Sequence, residues 1–294
     1  MTSEVIARAT ARPQNAGLEP DVPPPPTPST SPEIPPFARM LRGWRQQRRC
    51  SQLALSLDAR VSQRHLSWLE SGRAQPSPEM VLQLAEALDV PLRARNDLLV
   101  AAGFAPRFPA RSMESPEMAQ VLSAVRRMVE NHAPYPALAV DRLWNVRLSN
   151  APFDRFEALF GPDLWTRVAS PGRNLLRMFF HPAGLRPSVL NWAVVAPLLW
   201  HRARREADAL GGDDLLALLA ELAPHQDAAT LRGAESAPLW PVLPLELEVG
   251  GLRASLFTVI STFGTPQDVT ADELRIESFF PADDATERLF RGDV

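Results

Sequence analysis

Residues 51–72 read SQLALSLDARVSQRHLSWLESG, two short helical patterns separated by a tight break. Ser51 and Ser62 can each accept a hydrogen bond from a backbone N–H that a helix start would otherwise leave unpaired, so both mark helix beginnings. Leu53, Ala54 and Leu57 give the first helix an apolar stripe, and Val61, Leu66 and Leu69 fall where the second must pack back on it. Gly72 closes the pair. Burying that stripe leaves Gln63, Arg64, Ser67 and Trp68 outside, and this spacing is that of a helix-turn-helix entering the major groove of duplex DNA. The residue types fit base edges: glutamine pairs with adenine, arginine with guanine, and an aromatic edge packs on a thymine methyl. Gln52, Arg73 and, from the preceding helix, Arg45 are the expected phosphate contacts.

Working outward, Phe37 to Arg49 forms a first helix with Phe37, Met40, Leu41 and Trp44 on one face and most of its arginines on the other. Ser77 and Pro78, a cap followed by a first-turn proline, open a fourth helix with Met80, Val81, Leu84, Ala85 and Leu88 inward. A fifth runs from Leu92 to Ala102 and ends at Gly103. Residues 36–103 therefore make an all-α five-helix domain. Although the 294-residue chain carries a net charge of −3, this segment holds ten arginines against six carboxylates, a balance of +4. The basic charge is concentrated where the DNA geometry is.

Nine of the seventeen positions from Pro20 to Pro36 are proline, so residues 1–35 read as a polyproline-II or disordered arm, passive or an SH3-type ligand. Residues 104–135 read as a linker followed by a connecting helix. Met118, Val121, Leu122, Val125, Met128 and Val129 form that helix's stripe, for docking on a second domain or for dimerisation. From 136 to 294 the pattern is two strands (137–141 and 143–148, with Trp144, Val146 and Leu148 alternating), an Asn150-capped helix, three further helices, and three strands. In the last group Leu243, Leu245, Leu247 and Val249 share one side, and Phe257, Val259 and Phe263 another. That order gives an α+β domain with one antiparallel sheet. The large apolar residues over it, Trp144, Phe156, Phe160, Trp165, Met178, Phe179, Trp192, Phe257 and Phe263, either pack solid or line a pocket.

From Phe37 to Ala102 the chain resembles the Xre/lambda-repressor class, through Ser51-Gln52, Val61-Ser62-Gln63 and Leu69-Glu70-Ser71-Gly72. The stretch SQRHLSWLESGRAQPSPEMVLQLAEALDVPLRARNDLL, with PYPALAVDRLWNV and TFGTPQDVT further on, is similar to the MmyB-like transcription regulators. The resemblance implies a five-stranded PAS-like domain that opens an apolar cavity for a small, fatty-acid-like ligand. A bound carboxylate would need a cation or donors, because an unpaired buried charge costs several kcal/mol. Arg177, His181, His201 and Arg202 are the expected anchors.

The single cysteine, Cys50, excludes an internal disulfide, and the five histidines lack metal-ligand spacing, so no metal is expected. No nucleophile elbow, phosphate loop or zinc-protease motif occurs, so neither catalysis nor a catalytic cofactor is expected. The longest apolar run is too short to span a membrane and no secretory signal opens the chain, which points to the cytoplasm. The expectation is thus a homodimeric, ligand-responsive DNA-binding regulator, since two half-sites about 34 Å apart multiply selectivity. The alternative is a helix-turn-helix protein-interaction module on a non-sensing scaffold.

Overall fold

Residues 34–210, 213–232, 242 and 244–292 are described by a computed structural model. The Pro-rich arm up to residue 33, and Leu243, lie outside the described residues.

Five helices build the first domain: α1 (Pro36–Gln47), α2 (Gln52–Asp58), α3 (Gln63–Glu70), α4 (Pro78–Ala87) and α5 (Leu92–Ala101). Ser51, Ser62 and Ser77 cap α2, α3 and α4 by accepting from the N–H of Ala54, His65 and Met80. Leu41, Leu55, Leu66, Leu69, Leu84 and Leu98 are fully buried at the centre. Between α2 and α3 the chain turns through Arg60 at φ 50°. Arg60 N–H bonds Leu57 O and Val61 N–H bonds Ser56 O, the paired bonds of a Schellman ending.

One expected stripe is reversed. Leu53 and Leu57 are 53% and 69% exposed, while Leu55, Ser56 and Ala59 pack inward. Residues 53/57 and 55/59 are equally good i, i+4 pairs, and a seven-residue helix is too short for periodicity to choose between them. The exit through the Arg60 turn makes the choice, because Val61 and Leu66 must both meet the core.

The linker is pinned to α5 by Asn96, whose Oδ1 accepts from Arg107 and Phe108 N–H and whose Nδ2 donates to Phe108 O. A 3₁₀ turn, Pro116–Met118, leads into α6 (Ala119–Glu130). Met118, Val125 and Val129 of the expected stripe are buried against Ala137, Ala139 and Ile276, so α6 docks on the second domain. Met128 falls outside that contact, 47% exposed.

The second domain runs β1 (Ala137–Val140), β2 (Val146–Ser149), α7 (Ala151–Ala158), α8 (Leu164–Arg167), α9 (Leu175–Phe180), α10 (Trp192–Leu210), α11 (Asp213–Leu222), α12 (Ala228–Arg232), β3 (Leu245–Val249), β4 (Leu252–Ser261), α13 (Val269–Asp272), β5 (Arg275–Pro281) and α14 (Asp284–Arg291). Its strands lie in the order β2-β1-β5-β4-β3 with every neighbouring pair antiparallel, the expected PAS-like sheet. Asn150 ties the start of the domain together: it caps α7 at Phe153 N–H, accepts from Ala137 N–H, and donates to Val129 O and Tyr135 O. Residues of α7, α9 and α10 cover the face opposite α6, sharing one core cluster with Leu138, Val140 and Leu247.

Two strand expectations are corrected. Trp144 is not a strand residue; it sits in the β1–β2 turn at φ 65°, 2% exposed, and β2 begins only at Val146. On β4 the alternation is as expected but its parity is opposite. Pairing of Phe257 with Phe280 and of Thr258 with Phe279 sends Leu256 and Thr258 toward α10 and Phe257 to the other face, where it stacks on Phe280 at 5.5 Å. Val259 is 45% exposed, and Phe263 lies beyond the strand against the α6 cluster. A one-residue change of register reverses every side chain, and the bulk of an aromatic does not reveal which face it will take.

Candidate DNA interface and ligand cavity

Gln63, Arg64, Ser67 and Trp68 all project from the exposed side of α3, whose opposite side buries Leu66 and Leu69. Four residues apart, Arg64 and Trp68 stack, the guanidinium 4.5 Å from the indole centroid. That contact holds a flexible side chain in one orientation over a polar edge, a pre-organisation worth about 0.5–1 kcal/mol at an exposed site. Arg73 is exposed just past α3.

Two of the expected phosphate contacts have other partners. Arg45 is only 13% exposed, and its Nε and Nη2 meet Glu70 Oε1 and Oε2 at 2.5 and 2.8 Å. A third donor, Nη1, goes to Cys50 O. Gln52 is half-buried and donates Nε2 to Glu70 Oε2 at 2.8 Å. Glu70, 4% exposed, is thus the residue that sequence reasoning missed. Burial alone would raise its pKa; the hydrogen bonds from Arg45 and Gln52 outweigh burial and hold the carboxyl below its usual value. Its sequence signal was its place beside Leu69 on the inward face of α3, where an acid needs a partner. The three side chains brace α1, α2 and α3 into the angle at which the α3 edge is presented.

In the second domain a cavity of about 290 Å³ opens between the sheet and α7, α9 and α10. Trp144, Phe156, Met178 and Phe179 of the expected set line it, with Leu256 and Phe279 across the sheet. Phe160, Trp165 and Trp192 pack in the surrounding cluster instead. Phe160 meets Phe156 edge-on, Trp192 stacks behind Phe179, and Trp165 donates to Glu157. Phe257 and Phe263 lie on the far side, as the strand parity requires.

Of the four expected anchors only Arg202 reaches the cavity. Arg177 is held by Glu221 and Ala169 O. His181 packs on His225 with ring centroids 5.2 Å apart, and burial together with that neighbour lowers its pKa, so it is a poor cation for a carboxylate. His201 faces solvent. Arg202 is itself paired, with Nε to Glu206 Oε1 at 2.9 Å and Nη2 to Glu277 Oε1 at 2.7 Å. Its guanidinium lies 4.4 Å from the Trp144 centroid, and Arg275 lies 5.1 Å from the same ring. Trp144 Nε1 donates to Glu206 Oε2, which Arg275 also contacts. The left-handed turn at Trp144 delivers the indole into this network, a strain that its buried contacts sustain.

Residues 272–277 connect the cavity to the helical domain. Glu277 lies at the cavity; Asp272 and Glu273, at the other end of this run, lie against α5. The N-terminus of α5 has no cap of its own, and Asp272 Oδ2 supplies one by accepting Leu92 N–H at 3.1 Å. Arg93 grips Glu273 with two bonds of 2.6 and 2.9 Å.

Comparison with known proteins agrees with both halves. Residues 36–98 match the model of a helix-turn-helix domain, and residues 121–291 match that of the MmyB-like transcription regulator ligand binding domain. Among curated proteins no similar sequence is found. Two solved structures align distantly. The PAS domain of Bordetella pertussis BvgS shares 14% identity over 59% of this chain and 95% of that one, with a TM-score of 0.26. An RNA-binding Light-Oxygen-Voltage receptor shares 11% identity over 88% and 62%, also at 0.26. Scores this low carry no argument about fold or function. No helix among the described residues is long and apolar enough to cross a membrane.

Proposed function

This chain belongs to the MmyB-like transcription regulators, DNA-binding proteins with a ligand-binding domain, and from that premise we propose that it acts as a homodimer whose DNA affinity responds to a small acyl-chain ligand. The observation that carries the DNA half is the exposed α3 edge, where Arg64 stacks on Trp68 beside Gln63 and Ser67. Two such edges about 34 Å apart read two half-sites, which is the reason to expect a dimer. Sedimentation of the DNA complex checks the stoichiometry.

Apolar walls with a few polar groups at one end, as found between the sheet and α10, suit a molecule with a hydrocarbon tail. A compound with a fatty-acid-like hydrocarbon tail is the simplest such ligand. It alters DNA binding only through unequal affinity for two arrangements of the protein, and residues 272–277 offer a direct physical route from the cavity to the helical domain.

Arg64→Ala tests the recognition edge on a duplex chosen by selection from random sequence. The expected loss is roughly 1–3 kcal/mol at one base position with relaxed specificity there. A variant that keeps the wild-type ratio between selected and scrambled duplexes would refute Arg64 as a base reader.

A further inference from the structure

The polar end of the cavity is already electrically balanced. Among the described residues that line it, only Arg202, Thr258 and Glu277 are polar. Thr258 and Glu277 are diagonal neighbours on β4 and β5, facing the same side as Phe279. Arg202 bonds Glu277 directly, and behind them Glu206 takes both Arg202 and Arg275. Two guanidiniums and two carboxylates therefore sum to zero, with Glu277 4% exposed and Arg275 13%. A ligand carboxylate brought here would have to compete with Glu277 for Arg202 and would leave one buried negative charge without a partner, the unfavourable half of a broken ion pair. An ammonium head would leave an unmatched positive charge for the same reason. A neutral head that both accepts and donates meets no such cost. It accepts from Arg202 and donates to Glu277, whose Oε2 takes no hydrogen bond among the described residues, and Thr258 serves either way.

We propose that the ligand of this cavity carries an uncharged donor–acceptor head, a hydroxyl or primary amide, on its hydrocarbon tail, and that Glu277 is the residue that excludes free carboxylates. The inference rests on the acyl-chain reading of the cavity and specifies its head group. Isothermal titration of the full chain near neutral pH with decan-1-ol, decanamide, decanoate and decylamine tests it, the four sharing one tail. The alcohol and the amide should bind at least about tenfold more tightly than either charged compound. Glu277→Gln, which leaves the end with one net positive charge, should bind decanoate about tenfold or more tightly than the native protein does, and an unimproved decanoate affinity in the folded variant overturns the role given to Glu277. Decanoate binding the native protein as tightly as decan-1-ol overturns the head-group inference while leaving the acyl-chain reading intact. Failure of all four to bind overturns both. Where circular dichroism shows that Glu277→Gln has not folded, the ranking on the native protein decides alone.

Discussion

At the scale of single residues, the side chain that braces the helical half is a buried acid turned away from the exposed α3 edge. Glu70 receives Arg45 twice and Gln52 once inside the angle between three helices. Removing it strands a guanidinium that is 13% exposed, so Glu70→Ala should cost about 3 kcal/mol in denaturant unfolding. Its pKa is depressed in the folded state, so the stability it contributes is complete above the unfolded carboxylate value and disappears as pH falls through the folded one. Glu70→Gln should accordingly flatten the loss of stability in acid below about pH 4.5, where the native protein declines. An identical acid limb in both proteins would mean that Glu70 is not held charged by its partners. The sequence could be read for Arg45 and Gln52 as polar residues near the groove, but not for their being used up on each other's neighbour. Only a residue 18 to 25 positions away decides that.

At the scale of elements, helix starts were legible and helix faces less so. Ser51, Ser62, Ser77 and Asn150 cap where a hydroxyl or amide before an apolar run says they should, because a cap bonds within three residues. The turn after α2 is less comfortable. Arg60 holds φ 50°, a region where an L side chain crowds the following carbonyl, at a place where glycine is the unstrained choice. Arg60→Gly should raise stability by about 1 kcal/mol, partly offset by the added freedom of the unfolded chain, and thermal melts will show it. A lowered melting temperature would mean that the Arg60 side chain contributes more than its backbone costs. The elements missed altogether, α8, α12, α13 and α14, are short or lie beside strands whose alternation dominates the local pattern.

At the scale of the whole molecule, the two domains meet through a joint that neither could have announced. Asp272 caps α5, and Glu273 pairs with Arg93, across 180 residues of chain. The pair is partly exposed, Arg93 at 35%, so its contribution is about 1 kcal/mol after screening by solvent. Arg93→Ala should therefore open the joint about fivefold more often and speed tryptic cleavage at Arg107 and Arg111 in the linker by a similar factor. Equal cleavage rates would place the restraint elsewhere, for instance at the Arg111–Asp268 pair.

The sequence alone determined the parts whose chemistry is local: the serine caps, the exposed polar edge of α3, the number and order of strands, and the division into a basic helical domain and a sheet domain. Tertiary structure alone decided which face each strand and short helix turns inward, that Arg45 braces Glu70, and that of four candidate anchors Arg202 reaches the cavity already neutralised. The physical reason is range. A cap or an alternating pattern is satisfied by neighbours a few residues away, whereas the parity of β4 or the pairing of a buried charge is settled by a partner that only the folded chain brings near.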